Sequence, residues 1–268
     1  MSSRVARRRF LKLLAGAPLA AGFGWTRPAA AGSHAPAGAL IASPAEALNV
    51  FDFEAVARRD LPPAHFGYLT TGVDDDATLH ANREGFSRWR IRPRRLVDVA
   101  RVDTSVELFG ATFKSPVVLA PAASQKAFHP DGEIASARAA GPTRHLQILS
   151  TGATASIEDV RAAHGGPVWF QLYPTDTWRI TQALVKRAEG AGCPVLVLTV
   201  DLPAGRNTET DRRFARADPR PCTSCHQYTF AGYVRRKPMF DGLDLTGVNL
   251  SAPRLTWDIV RRLRDATG

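Results

Sequence analysis

Four short apolar runs, at residues 117–120, 147–150, 168–172 and 195–200, constrain the fold more than any other feature. Each is of strand length and continuous rather than alternating, the pattern of strands buried on both faces of a parallel sheet. Helix-like segments at 132–140, 156–163 and 177–191 separate them. Ser156-Ile157-Glu158-Asp159 places acids in a first helical turn, where they favour the positive end of the helix dipole. Strand and helix alternating in this way predict βα units. Residues 116–268 have room for at most about five such units at roughly 30 residues each. A polar, Pro-containing stretch at 202–253 is expected to be irregular, which leaves about four units and a final helix at 256–266. The expected fold class is therefore α/β, a partial (β/α)8 barrel, where a closed one needs eight units. Three N-terminal helices, at 51–60, 64–70 and 78–86, are expected to precede it.

The amino terminus reads as an address rather than as fold. Arg7-Arg8-Arg9-Phe10-Leu11-Lys12 leads into an apolar run and then Ala29-Ala30-Ala31, the three parts of an export signal in order. Arg-Arg-x-Phe-Leu-Lys resembles the bacterial twin-arginine signal, so residues 1–31 are expected to direct export to the periplasm. Residues 32–50, rich in Ala, Pro, Gly and Ser, read as a linker. The apolar part of the signal is too short and too rich in Gly, Ala and Pro for an integral membrane span. Six of the ten net positive charges lie in the first 31 residues, so the remainder carries no electrostatic footprint for nucleic acid.

A series of landmarks follows in fixed order: Leu61-Pro62 with Tyr68 and Gly72; Asn82 with Phe86-Ser87-Arg88-Trp89; Pro93-Arg94; Ala120-Pro121-Ala122-Ala123; His129-Pro130-Asp131-Gly132-Glu133; Leu149-Ser150; Gln171-Leu172-Tyr173; and Thr199-Val200-Asp201. In order and spacing they resemble the FMN-dependent 2-hydroxy acid oxidases and dehydrogenases, a TIM-barrel family that includes glycolate oxidase and the lactate dehydrogenases. Independently of that resemblance, Pro121, Ser150, Gln171, Tyr173 and Thr199 fall at the carboxyl ends of predicted strands, the face on which barrel enzymes build their sites.

The resemblance implies a small 2-hydroxy acid substrate, FMN as cofactor, and oxidation of a lactate-like L-2-hydroxy acid to the 2-oxo acid. It implies that Pro121, Ala122, Ala123, Ser150, Gln171 and Thr199 line the flavin ring. Ala122 stands where the family usually has Thr, which removes one side-chain contact. Tyr68 is implied in binding the substrate carboxylate and Tyr173 in bonding its hydroxyl side; both phenols donate without being charged at neutral pH. Arg206 is the candidate carboxylate-binding arginine, about two positions out of the family's register.

The family's strand-five lysine, its His-Gly-x-Arg pair and its Gly-rich phosphate site have no counterpart in the sequence. Loss of the histidine base alone removes roughly 10²–10⁴-fold in rate, so this chain is expected to be inactive by itself. It would then need a complementing C-terminal half, or be a non-catalytic remnant or partner subunit; a homo-oligomer is a further option. The electron acceptor (oxygen, quinone or cytochrome) is left open.

Cys222-Thr223-Ser224-Cys225-His226 matches the C-x-x-C-H pattern of haem c attachment. The readings are a short disulfide suited to an oxidising compartment, a covalent haem with His226 and Met239 as axial ligands, or half of a metal site. The haem reading carries an alternative function, a small periplasmic electron-transfer protein. Cys193 is expected to be a buried helix-end residue. Arg88, Arg90, Arg92, Arg94 and Arg95, alternating with Trp89 and Ile91, read as a solvated face or subunit contact. Asp74-Asp75-Asp76 reads as a loop and helix cap, with too few oxygen ligands for calcium.

Overall fold

The computed structural model describes residues 40–201, 205–220, 230–250 and 252–268. The basic start and the Cys222, Cys225 and His226 run lie outside the described residues. The chain divides into two compact units, Met1–Val56 and Ala57–Gly268. A 3-10 turn at Pro44–Glu46 in the first precedes α1 (Asp52–Asp60), whose residues from Ala57 on belong to the second. The Asp52 carboxylate accepts the amides of Leu48 at 2.6 Å and Asn49 at 3.2 Å, fixing the chain just before that helix.

The second unit continues with α2 (Pro63–Thr70) and α3 (Ala77–Gly85), followed by an antiparallel hairpin of β1 (Val106–Leu108) and β2 (Ala111–Phe113). Phe109 and Gly110 at the hairpin tip both have positive φ, 49° and 76°, the backbone handedness that matches the twist of a tight hairpin. The βα series then runs β3 (Val118–Leu119), α4 (Glu133–Ala140), β4 (Leu146–Ser150), α5 (Ile157–His164), β5 (Trp169–Leu172), α6 (Trp178–Gly190) and β6 (Leu196–Leu198). All four of these strands are parallel, in the order β3-β4-β5-β6. They form an arc of the expected partial barrel.

Period two along the strands separates two buried faces. On the outer face Leu149, Phe170 and Leu172 pack with Ile157 and Val160 of α5 and with Ile180, Leu184 and Val185 of α6. On the inner face Leu146 and Trp169 pack with Phe113 of the hairpin. Trp169 meets Phe109 and Phe113 edge-on, with centroids 5.3 and 6.2 Å apart. The hairpin thus stops the amino ends of β4 and β5 and leaves their carboxyl ends open. The Ser156 hydroxyl accepts the Asp159 amide at 3.1 Å and Gly165, at φ 71°, closes α5, so the predicted start is the one the chain uses.

The stretch at 202–253 is not wholly irregular. It contains α7 (Glu209–Ala217), the short α8 (Phe230–Val234) and a 3-10 turn at Pro238–Phe240, before α9 (Asp258–Ala266). Helix α7 is mostly charged and carries few apolar residues; Phe214 is the one large apolar side chain it packs against α2. Among the described residues no helix is long and apolar enough to cross a membrane.

Candidate functional site

Register places the polar rim. Ser150 pairs with Gln171, and Gln171 pairs with Val197, so Thr199, two residues on, shares their face. The Ser150 hydroxyl donates to Gln171 Oε1 at 3.0 Å, and Gln171 Nε2 donates to Thr199 Oγ1 at 2.8 Å. One amide thereby links the carboxyl ends of three strands. Thr151 reinforces the row: its hydroxyl donates to the Gln171 carbonyl at 2.6 Å and accepts the Tyr173 amide at 3.0 Å. Ser150 and Gln171 are buried, while Pro121, Ala123, Tyr173 and Thr199 are half-buried and Ala122 is exposed.

Tyr68 reaches the same rim from α2. Its ring stacks on Phe128 of the β3–α4 loop, with centroids 6.0 Å apart, and His65 Nδ1 donates to the Ala127 carbonyl at 2.7 Å. Gly67 permits this helix to lie against α7, since a Cβ there would stand 2.5 Å from Phe214 Cβ. The loop after α2 is tied to the segment following Arg206: the Asp74 amide donates to the Asn207 carbonyl at 2.9 Å and Asn207 Nδ2 to Asp74 Oδ1 at 3.0 Å. Asp76 accepts from Gly72 and from the Thr210 hydroxyl, so it joins two segments rather than capping α3 with its side chain.

The electrostatics show these groups converging. Burial raises the Tyr173 phenol above its ordinary pKa, Asp201 and Tyr68 add to the shift, and Arg206 opposes it. Tyr233 completes the cluster: burial, then Tyr68 and Tyr173, push its phenol up to about 12. Its hydroxyl fills the space over Gly152, where a Cβ would approach it to 2.6 Å. No pattern of residues points to Tyr233, which lies in the segment read as irregular. The structure therefore brings Tyr68, Tyr173 and Arg206 together at the strand ends that carry Ser150, Gln171 and Thr199.

The donor set fits a flavin. A ring edge alternating carbonyl acceptors with an N–H donor suits a row of hydroxyl, amide and hydroxyl, each able to donate and accept. Ala122 and Ala123 offer backbone with only methyl groups in the way.

The comparisons decide the family. A family model described as FMN-dependent dehydrogenase matches residues 57–268. The chain belongs to the FMN-dependent dehydrogenase family. Glycolate oxidase 1 of rice (Oryza sativa subsp. indica) is 37% identical over 206 residues, covering 77% of this chain and 52% of the relative. The spinach (Spinacia oleracea) glycolate oxidase is 40% identical over 166 residues, 62% of this chain and 45% of the relative. Among solved structures, a lactate oxidase of Pediococcus acidilactici superposes with a TM-score of 0.69 at 29% identity, covering 83% of this chain and 58% of that one. An active chimera of (S)-mandelate dehydrogenase superposes at 0.71 with 30% identity, covering 82% and 62%. The chain spans about half the length of the curated relatives it matches.

Other expected groups lie elsewhere. Met239 is fully buried in the outer-face core with Phe240; Cys222, Cys225 and His226 are outside the described residues. Cys193 is half-buried just past α6 and packs against that core. His145 bonds Ser115 and Thr143, His164 bonds the His145 carbonyl, and His129 Nδ1 accepts the Asp131 amide. These are packing and turn roles. Arg88 to Arg95 are exposed, and so are Trp89 and Ile91 between them.

Proposed function

We propose that this chain supplies the ring-binding and substrate-orienting half of a site that oxidises an L-2-hydroxy acid of lactate-like size to the 2-oxo acid. The observation that carries the reading is the row Ser150–Gln171–Thr199 at the strand ends, next to a Tyr173 phenol that feels both Tyr68 and Arg206. FMN supplies the two-electron acceptor. Ser150, Gln171, Thr199 and the backbone of Pro121, Ala122 and Ala123 hold and orient its ring. Arg206 and the Tyr68 phenol bind the substrate carboxylate, a cation and a neutral donor on one anion. The Tyr173 phenol, neutral at physiological pH, donates to the substrate oxygen.

The remaining need is a base for the hydroxyl proton. His65, His129, His145 and His164 are engaged with backbone and hydroxyl partners. We infer that the base is contributed by a complementing segment and that these 268 residues alone bind flavin without turning over. Mixing the purified chain with FMN and then with L-lactate, glycolate or L-mandelate tests this. Flavin fluorescence is expected to quench on binding, with no reduction of an artificial electron acceptor. Absence of flavin binding overturns the site; turnover overturns the need for a complement.

We further infer periplasmic export directed by Arg7-Arg8-Arg9-Phe10-Leu11-Lys12. Fusing residues 1–31 to a folded reporter and fractionating cells tests it, with an Arg7→Lys/Arg8→Lys variant expected to stay in the cytoplasm.

A further inference from the structure

Arg235-Arg236-Lys237-Pro238 is a basic run before a proline. Its third residue, Lys237, is only 2% exposed. Its Nζ donates to the Ser124 hydroxyl and to the Gly152 carbonyl, both at 2.6 Å, and lies 5.0 Å from the centre of the Tyr233 ring. A lysine is buried at this depth only when its hydrogen bonds are met.

The two partners belong to different loops. Ser124 lies in the loop after β3, immediately beyond Ala122 and Ala123, with a left-handed φ of 59°. Gly152 lies in the loop after β4, two residues beyond Ser150. The Ser124 amide donates to the same Gly152 carbonyl at 3.1 Å. A second buried charge works in parallel: Glu133 Oε1 accepts the amides of Gln125 at 3.1 Å and Thr154 at 2.9 Å, and Oε2 accepts the Thr154 hydroxyl at 2.8 Å. The two loops are therefore joined at Glu133 from α4 and at Lys237 from the far end of the chain.

We propose that Lys237 is a positioning residue for the flavin-facing rim: its Nζ clamps the β3–α4 loop to the β4–α5 loop, fixing the backbone at Ala122–Ser124 and the Tyr233 ring over Gly152. The inference rests on the flavin reading above for its functional half, while the clamp stands on geometry alone. Lys237 reaches the rim through Ser124 and Gly152 and acts only by holding them.

The test compares the full chain with Lys237→Met and Ser124→Ala, the latter removing one acceptor without touching the buried amine. Two readouts are taken: hydrogen exchange of peptides spanning 120–127 and 150–155 without flavin, and the FMN dissociation constant from fluorescence quenching. Lys237→Met is expected to exchange at least tenfold faster in both loops and to bind FMN at least tenfold more weakly. Ser124→Ala is expected to move both readouts the same way by a smaller factor, and it carries the test if Lys237→Met does not fold. Wild-type exchange in both loops of a folded variant overturns the clamp. Faster exchange with an unchanged FMN constant overturns the positioning role. A wild-type chain that binds no FMN refutes the flavin reading instead, and the exchange rates then decide the clamp by themselves.

Discussion

Ser150 and Gln171 face each other across the β4–β5 register, and the serine hydroxyl donates to the glutamine amide oxygen at 3.0 Å. Because Gln171 also donates to Thr199, it is the middle member of the rim. Replacing it with leucine keeps the volume but strands two hydroxyls, and an unmet buried polar group costs about 1–3 kcal/mol. Gln171→Leu is expected to weaken FMN binding by roughly tenfold or more, measured by fluorescence quenching, while the far-ultraviolet circular dichroism stays that of the parent.

That rim was legible before any coordinates because strands buried on both faces have to be apolar throughout, so the polar residues Ser150, Gln171 and Thr199 mark where burial ends. The hairpin was not legible. Its strands are three residues each, and the turn uses Phe109-Gly110 rather than an Asn-Gly pair. Helix α7 escaped because Glu209–Ala217 is mostly charged and its one aromatic residue, Phe214, packs on Phe66 far earlier in the chain, a contact that spacing cannot predict. Lys237 and Tyr233 escaped for a related reason. What makes them part of the site is a long-range approach to Ser124 and Gly152, and a basic run before a proline carries no trace of it.

Gly67 is a site where one methyl group is too many. A Cβ there would lie 2.5 Å from Phe214 Cβ and 3.3 Å from the Asp211 Cα, and the backbone atom cannot swing aside as a side-chain end could. Overpacking of this kind costs typically about 1–3 kcal/mol. Gly67→Ala is expected to lower the thermal midpoint by several degrees and to weaken substrate-analogue binding through Tyr68, the next residue on α2. A calorimetric scan and a titration with oxalate on the FMN-loaded chain check the two effects separately.

Cys193 is predicted to be a quiet thiol. Burial pushes its pKa up to about 12, with Arg161 pulling it down and Glu158 adding to the rise. The thiolate is the reactive form, and the shift from an ordinary value near 9 lowers its population at pH 8 by about a thousandfold. In a Cys222→Ser/Cys225→Ser background, a chromogenic disulfide reagent is expected to label Cys193 only after denaturant is added. Rapid labelling of the native chain would show that the segment past α6 opens on that timescale.

The buried amine of Lys237 makes a signed prediction about alkaline stability. Burial lowers its pKa to about 8, with Glu133 opposing the shift and Arg236 adding to it, whereas the unfolded chain has the ordinary value of 10.5. Below pH 8 both states hold the proton and the cost of burying charge is constant. Between pH 8 and 10.5 the unfolded state binds the proton that the folded state has released, so stability rises with pH. The gain approaches about 3 kcal/mol across that window. Tyr233, pushed up to about 12, acts in the opposite direction above pH 10, but it is present in both proteins and cancels in a difference. The unfolding free energy of the parent minus that of Lys237→Met, from urea titrations between pH 7.5 and 10, is therefore expected to climb. A flat difference would mean that the amine keeps its proton in the fold, held as an ammonium by Ser124, Gly152 and the Tyr233 ring.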